Sequence, residues 1–385
     1  MRLALVGGTV WTGDGTVIRD GVVVVDGERI AAVGQGPVPK GATEVRARGR
    51  YVLPGFVDAH AHIGIEEEGV GWEGSDGNEL TDPVTPHLRA LDGLNPYDAA
   101  FARALAGGVT AAYVTPGSGN VVGGQGVAIH TAGTNVARMA LRAPGGMKAA
   151  LGENPKRVYR DQKRMPTSRM GTAAVLRDAL GQAMAYADKV ERAGADPERR
   201  PEPNLKWQAL GAVVRREIPL RIHCHRADDI LTALRIRREF SLDITLEHCI
   251  EGHLVAGEIA ASGVPVSYGP ILAPVSKVEV RGFRPDTPAI LHDAGVTVSL
   301  ITDHPVLPIY TLGIMAGVAN REGLPEQEAL RAVTANPAAS LGLADAIGSL
   351  APGRFADIVV WQGHPFEVRS VARRVYVRGA LAHSR

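Results

Sequence analysis

The 385-residue chain predicts an α/β fold: a (β/α)8 TIM-like barrel that carries a smaller β domain. Three observations indicate this. Strand patterns alternate with helical patterns through most of the chain, strand-and-turn sequence occupies both ends, and the length suits a barrel of roughly 250 residues plus a smaller unit. We therefore predict a β domain from residues 1–55 together with 345–385, and a catalytic barrel over residues 56–344.

The N-terminal segment reads as short β-strands separated by glycine turns. The run from Val22 to Val25 is β-branched, which favours a sheet, and the unit stops at Pro54. The predicted strands are 3–6, 22–26, 29–33 and 43–47. Strand patterns return at 357–361 and 374–379, so we expect the two ends of the chain to build one domain.

From Phe56 onward the pattern is strand, loop and helix, repeated. The eight predicted strands are 56–61, 109–115, 126–131, 146–152, 219–224, 243–248, 264–268 and 296–302. The predicted helices are 96–106, 172–193, 204–216, 228–240, 253–262, 286–294, 310–322 and 325–340. This alternation implies parallel βα units, and eight of them favour a closed barrel over an open sheet. No GxGxxG or P-loop fingerprint lies on a strand-to-helix turn, which disfavours a nucleotide-binding fold.

Composition narrows the class of protein. Hydrophobic residues make up 45% and charged residues 22%, as is typical of a globular protein, and the net charge is +1. Without a basic stripe, the chain gives no reason to expect nucleic acid or an anionic membrane as its main partner. No apolar run reaches membrane length and no signal segment is evident, so a cytoplasmic location is expected. The two cysteines, Cys224 and Cys249, are expected to be reduced thiols.

The run YVLPGFVDAHAH at residues 51–62 carries the first chemical signal. Side chains alternate along a strand, so Asp58, His60 and His62 share one face. Two imidazoles at positions i and i+2 of a strand can converge on one divalent ion, with nitrogens about 2.0–2.1 Å from zinc. Two histidines in this spacing are also common at surfaces, so the other strand ends must decide between a site and chance.

Catalytic groups in such a barrel lie at the C-terminal ends of its strands. Five of the predicted strands end in histidine or carboxylate, the ligands that zinc, iron or manganese take from proteins. These residues are His60 and His62 on strand one, Glu153 on strand four, His223 and His225 on strand five, His248 on strand six, and Asp303 on strand eight. The sequence therefore predicts a divalent-metal site at this rim.

The segments LPGFVDAHAH, IHCH, LEHC, TDHP and GSLAPGRFADIVVW together resemble the amidohydrolase superfamily, most closely its imidazolonepropionase-like branch. The resemblance covers nearly the whole chain, and its first and last motifs together are highly specific. It implies a distorted (β/α)8 barrel, a composite β-sandwich, and metal-dependent hydrolysis of C–N bonds. It also implies homo-oligomer formation, and metal ligands at His60, His62, His223, His248 and Asp303.

Strand four departs from the best-known relatives, many of which place a carboxylated lysine there as a bridge between two ions. In MKAALGEN, Lys148 lies near the buried start of the strand, whereas Glu153 lies at its mouth. Glu153 is therefore the expected ligand. In the alternative, Glu153 caps the following turn and the site holds one metal. The expected cofactor is zinc, as one or two ions, with iron or manganese as alternatives.

The expected chemistry is hydrolysis by water that the metal activates. Asp303 would act as general base and return the proton to the leaving nitrogen, while His248 or His225 would help to hold the tetrahedral oxyanion. The chain is accordingly expected to be an amidohydrolase acting on an amide or cyclic amide, like an imidazolonepropionase or a dipeptidase. One alternative is a deaminase of a nitrogen heterocycle. Another is a non-catalytic scaffold relative, against which the retained histidines and aspartate argue.

A small-molecule substrate is expected, and several residues are candidates to bind it. The basic segment 153–171 could hold a carboxylate, or could pair with the acidic loop around residues 66–79 instead. The loop after strand two and the residue beside Asp303 add further polar candidates. The predicted substrate contacts are His225, Asn120, Tyr159, Arg169 and His304.

Overall fold

The structure, a computed structural model, describes residues 2–385 and contains two eight-stranded sheets in that range. The strands are β1 (Arg2–Trp11), β2 (Val17–Asp26), β3 (Arg29–Gly34), β4 (Thr43–Arg46), β5 (Tyr51–Pro54), β6 (Phe56–Ala61), β7 (Val109–Val114), β8 (Val122–His130), β9 (Ala140–Ala150), β10 (Leu220–Cys224), β11 (Ile244–His248), β12 (Val266–Tyr268), β13 (Val298–Leu300), β14 (Ile358–Gln362), β15 (Val371–Val377) and β16 (Ala380–Ser384).

Twelve α-helices lie within the same described range. They are α1 (Ala90–Gly93), α2 (Ala99–Ala106), α3 (Val136–Met139), α4 (Glu153–Asp161), α5 (Arg169–Ala193), α6 (Leu205–Val214), α7 (Ala227–Phe240), α8 (Ala256–Ser262), α9 (Thr287–Asp293), α10 (Leu312–Arg321), α11 (Glu326–Arg331) and α12 (Ala335–Ser340). Among residues 2–385, none of these helices combines the length and the apolar character that crossing a bilayer requires.

The first sheet joins the two ends of the chain. Its order is β16-β15-β14-β5-β1-β2-β3, and β4 also pairs with β1. Strand β5 pairs in parallel with β1 and antiparallel with β14, so the last strands of the chain complete the sheet begun by the first. Buried side chains from both ends, including Leu5, Val23 and Ile358, form one core. This confirms the predicted β unit from both termini; the exact domain limits stay a prediction.

The second sheet is a nearly closed barrel in the order β6 to β13. Strands β6 and β7 pair in parallel, and so do β9 to β13, but β8 is antiparallel to both of its neighbours. The prediction that all eight strands form parallel βα units is therefore wrong at β8. The connection from β7, residues 115–121, contains no helix and is too short for a parallel crossover, which needs a dozen or more residues.

Irregular backbone ties the first barrel strand to the last. At the end that carries the site, His62 N donates to the carbonyl of His304 at 2.8 Å, and Asp303 N donates to that of His60 at 3.2 Å. The hydroxyl of Thr302 donates to the buried carboxylate of Asp58. These bonds place the histidines of the first strand directly beside Asp303.

The predicted helix 325–340 is wrong as one element, because it is broken into α11 and α12. Between them the chain bonds to the barrel instead: Val57 N donates to Val333 O and Leu300 N donates to Ala332 O, both at 2.8 Å. Those carbonyls bridge β6 and β13. Tertiary hydrogen bonds thus override the helical pattern.

Candidate metal centre

Five of the predicted ligands, together with His225, which was predicted as a substrate contact, lie at four strand ends and form two adjoining groups. In each group, one nitrogen or oxygen atom per residue lies within 4.8 Å of the others. We call His60, His62 and Asp303 the first triad, and His223, His225 and His248 the second triad. The rings of His60 and His248 are 4.9 Å apart, centroid to centroid, so the two triads share one space.

Hydrogen bonds in the first triad direct lone pairs toward one point. The Nδ1 of His60 lies 2.9 Å from Glu247 Oε2, and that of His62 lies 2.6 Å from the carbonyl of Thr115. Both partners are acceptors, so each Nδ1 carries the proton and each Nε2 presents a lone pair. Those Nε2 atoms lie 3.5 and 3.3 Å from Asp303 Oδ1. Three acceptor atoms facing one another suit a shared cation; the ammonium of Lys148 lies 3.0 Å from one of them, His60 Nε2, whereas a divalent metal would suit all three.

The second triad shows the same need through unpartnered atoms. The Nδ1 of His248 lies 2.9 Å from the carbonyl of Gly269, which leaves its buried Nε2 without a partner. Neither ring nitrogen of His223 has a partner, and neither does Nδ1 of His225. Leaving a buried polar atom unsatisfied costs about 1–3 kcal/mol. This cluster is therefore explained best by a metal ion that the imidazoles share.

The protonation states suit metal binding. Burial, followed by the ammonium of Lys148, lowers the pKa of His60 to about 3. Burial, followed by the imidazole of His248 and the ammonium of Lys277, lowers the pKa of His223 well below its ordinary value. Burial alone would raise the pKa of Asp303, but the facing imidazoles, His248 first, bring it well below the ordinary value. Neutral imidazoles and an ionised carboxylate are the forms that bind a metal ion.

An unusual backbone conformation orients the triad side chains at the ends of β11 and β13. His248 and Asp303 have φ angles of +75° and +53°, and Cys249 has +48°. Non-glycine residues in this left-handed region cost on the order of 1–3 kcal/mol each and occur mostly at functional sites. Strained, destabilising backbone conformations therefore occur where β11 and β13 end, at the residues of the two triads.

Strand four brings Lys148, rather than Glu153, to the triads. Lys148 is fully buried in β9, and its Nζ lies 3.0 Å from His60 Nε2. Glu153 is the first residue of α4, its side chain is partly exposed, and its carboxylate belongs to neither triad. A lysine side chain is long enough to reach the rim from the strand interior. The geometry thus places Lys148, and not Glu153, beside the first triad, and nothing in it supports the prediction of Glu153 as a ligand.

Sequence reasoning missed a buried ion pair behind the first triad. Glu247 and Arg221 are both fully buried, with Arg221 Nε 3.2 Å from Glu247 Oε1. The hydroxyl of Thr245 donates to the same oxygen at 2.6 Å, and the guanidinium lies 4.4 Å from the ring centre of Tyr113. Burial would raise the pKa of Glu247, but Arg221 and His60 hold it well below the ordinary value. The available signal was a charged residue inside each of two adjacent apolar strands.

A second buried carboxylate was also missed. Glu279 lies in the loop between β12 and α9 and is 1% exposed. Its Oε1 is 3.7 Å from Nε2 of both His223 and His225. The surrounding sequence, SKVEVRG, reads as an ordinary solvated loop, so only the fold reveals this position.

A cavity of about 440 Å³ opens onto both triads. Its volume lies within the range of small-molecule sites. The lining residues that bear on recognition are His62, His223, His225, Asp303, Asn78, Asn154, Arg157, Lys277, Ile250 and Phe283. A larger cleft of about 880 Å³ beside α5 and α6 contains none of the predicted site residues.

Of the predicted substrate contacts, His225 lines this cavity and the other four do not. The amide of Asn120 donates to Glu79 O and Thr85 Oγ1, and accepts the Tyr159 hydroxyl at 2.6 Å. Both side chains are thereby committed to loop packing.

Arg169 and His304 are engaged with the protein as well. Arg169 Nε donates to Asp229 at 3.0 Å, and the buried His304 accepts from Ile309 N at 3.3 Å. The structure gives no support to substrate roles for these two residues, or for Asn120 and Tyr159.

Comparison with known proteins shows which sequences and structures this chain is similar to. The sequence profile of the amidohydrolase family matches residues 51–381. Amidohydrolase tasK of Hapsidospora irregularis is 33% identical over 97% of this chain, although the chain spans only 40% of that relative's length. An imidazolonepropionase of Cupriavidus taiwanensis is 26% identical, over 90% of this chain and 85% of its own. The crystal structure of an amidohydrolase from Thermotoga maritima MSB8 is 44% identical with a TM-score of 0.97, covering 100% of both chains.

Proposed function

The chain belongs to the amidohydrolase family, and on that premise we propose that it is a metal-dependent hydrolase of an amide or cyclic amide. The observation that carries the proposal is the pair of triads, whose unprotonated nitrogen and carboxylate atoms converge at the mouth of a 440 Å³ cavity. Relatives named imidazolonepropionase support a small cyclic amide as one substrate class. A dipeptide-like amide is the other class that we propose.

The two triads would hold the metal, with Lys148 beside His60 at the strand-four position. Zinc suits these imidazole and carboxylate ligands best, and iron or manganese accepts the same ligands. When bound, such an ion activates water and polarises the carbonyl of the substrate. Two triads in one space favour two ion positions over one.

Asp303 is the residue that we propose as general base. Its Oδ1 faces His60 and His62, its side chain lines the cavity, and its lowered pKa keeps it ionised at neutral pH. A carboxylate in this position can accept a proton from water at the site and deliver it to the leaving nitrogen. The backbone N–H of Asp303 donates to His60 O, which holds the residue beside the first barrel strand.

Replacing the proposed base tests this function. We expect Asp303→Asn to lower the rate of hydrolysis by at least about 100-fold, because it removes the proton acceptor, even when zinc is supplied until the variant holds its full metal content. The measurement is turnover on a panel of dipeptides, N-acyl amino acids and imidazolone-type cyclic amides, with metal analysis of each sample. Asp293→Asn, at an exposed carboxylate on α9, is the matched control and should keep wild-type activity.

Two outcomes would change the proposal. Turnover that survives Asp303→Asn excludes Asp303 as the base. Ammonia release from a heterocycle, with no amide cleaved, reassigns the chain to the deaminase alternative.

A further inference from the structure

Glu279 is a buried carboxylate that the mechanism above does not use. It lies on a short helical turn, Val278–Val280, in the loop between β12 and α9. Its Oε2 accepts from the backbone N–H of Glu153 at 2.9 Å, at the start of α4. Its Oε1 points the other way, into the second triad, and lies 3.7 Å from the Nε2 atoms of both His223 and His225.

This spacing is typical of ligands that share one ion. Two atoms bound tetrahedrally to zinc at about 2.1 Å lie about 3.4 Å apart. In the first triad, Asp303 Oδ1 lies 3.3 and 3.5 Å from its two imidazole nitrogens. Glu279 stands in the same relation to the second triad, so each pair of imidazoles faces one carboxylate oxygen.

An ion pair with Lys277 does not account for this arrangement. The ammonium of Lys277 lies 2.6 Å from Glu279 Oε1 and approaches from the cavity, where the lysine is partly exposed. A carboxylate oxygen has two lone-pair directions, so the lysine leaves one of them free. A structural ion pair also gives no reason for His223 to be buried beside it with both ring nitrogens unpartnered.

We propose that Glu279 is a metal ligand, which completes a set of His223, His225, His248 and Glu279 around a second ion. The proposal rests on the proposed function, because it assumes that the triads hold metal. It makes His225 a ligand rather than a substrate contact. Three imidazoles and one carboxylate form a set that zinc readily accepts.

Metal stoichiometry tests the proposal without relying on activity. Full-length protein is stripped with a chelator and dialysed against buffers of defined free zinc, and bound zinc is measured by plasma mass spectrometry. We expect Glu279→Gln to lower the affinity for one of the two bound zinc ions by more than about 100-fold. Loss of a residue outside the coordination sphere would lower the affinity by only about 10–100-fold. Glu251→Gln is the matched control, since that carboxylate caps the neighbouring loop through Ala227 N and lies outside both triads.

Two further variants keep the test decisive. Glu279→His restores a ligand atom and should recover zinc affinity relative to Glu279→Gln. Lys277→Met removes the ion pair but keeps the ligand, and should bind zinc at least as tightly as the wild type. Glu279 is not a ligand if Glu279→Gln lowers zinc affinity by less than about 100-fold. The same conclusion follows if Lys277→Met lowers zinc affinity as much as Glu279→Gln does.

Failure here is distinguishable from failure of the proposed function. Wild-type protein that binds zinc and hydrolyses amides, with full zinc content in Glu279→Gln, overturns only the role of Glu279. Wild-type protein that binds no metal overturns both.

Discussion

At the scale of single residues, the first triad depends on a carboxylate that would never contact substrate. Glu247 is fully buried, and its cost of burial is offset by Arg221, Thr245 and His60. A buried ion pair of this kind contributes little net stability, but breaking it leaves an uncompensated charge in the core. The same carboxylate fixes the His60 proton on Nδ1. We therefore interpret Glu247 as the residue that orients this imidazole.

Removing the charge of Glu247 should affect both stability and metal binding. We expect Glu247→Gln to lower the free energy of unfolding by about 3–5 kcal/mol, because Arg221 remains charged and unpaired. We expect zinc affinity at the first triad to fall by about 10–100-fold, as His60 loses its orienting partner. Denaturant unfolding and zinc titration check the two effects.

The control for this variant is Glu239→Gln, which breaks an exposed pair with Arg177. Surface pairs of this kind contribute at most about 1 kcal/mol, so the control should unfold nearly as the wild type does. Equal losses in the two variants would contradict the role given to Glu247.

The residues that the sequence identifies most readily are those at strand ends. His60, His62, His223, His248 and Asp303 all follow from alternation and strand position, and the structure brings them together, although their role as ligands stays a prediction. Lys148 was harder to choose, because position along a strand does not show how far a long side chain reaches. Glu279 could not be found at all, because it enters from a loop whose path depends on the whole fold.

At the scale of elements, two connections support each other beside the second triad. The turn from β9 into α4 passes through Gly152, whose φ is +81°, and brings the N–H of Glu153 to Glu279. A Cβ on Gly152 would lie 2.7 Å from Glu279 Oε2 and 3.2 Å from Asp229 Oδ2. This glycine therefore provides both a left-handed turn and the space for the carboxylate.

A methyl group at this turn should disturb the metal site. We expect Gly152→Ala to lower the free energy of unfolding by at least about 1 kcal/mol, through left-handed strain, and to weaken zinc at the second triad by displacing Glu279. Gly194→Ala is the matched control, since Gly194 also has positive φ, at +54°, but nothing lies within 4 Å of an added Cβ. The control should show strain alone; a loss of zinc in both variants, or in neither, contradicts the account of this turn.

Most elements could be predicted because apolar periodicity survives in the barrel strands and their helices. The predicted and observed bounds of β6 coincide, and those of β10 and β11 differ by one residue. The antiparallel direction of β8 was missed because strand patterns carry no direction, although the absence of a helical pattern after β7 was a usable sign. The break between α11 and α12 was missed because it depends on hydrogen bonds to distant strands.

At the scale of the whole molecule, the barrel gathers residues that are far apart in the chain. The triads draw on β6, β10, β11 and the segment after β13, which span residues 60 to 303. The sheet from both termini lies outside these triads, and its strands supply none of their atoms. We infer that metal binding belongs to the barrel.

The most direct test of this account is a parallel titration of metal and activity. Wild-type protein is stripped with a chelator, zinc is returned stepwise, and bound zinc and amide hydrolysis are measured on the same samples. The account predicts no turnover in the stripped protein, and turnover that rises with bound zinc until the triads are filled. Full turnover without metal, or a protein that binds no zinc, iron or manganese, would contradict it.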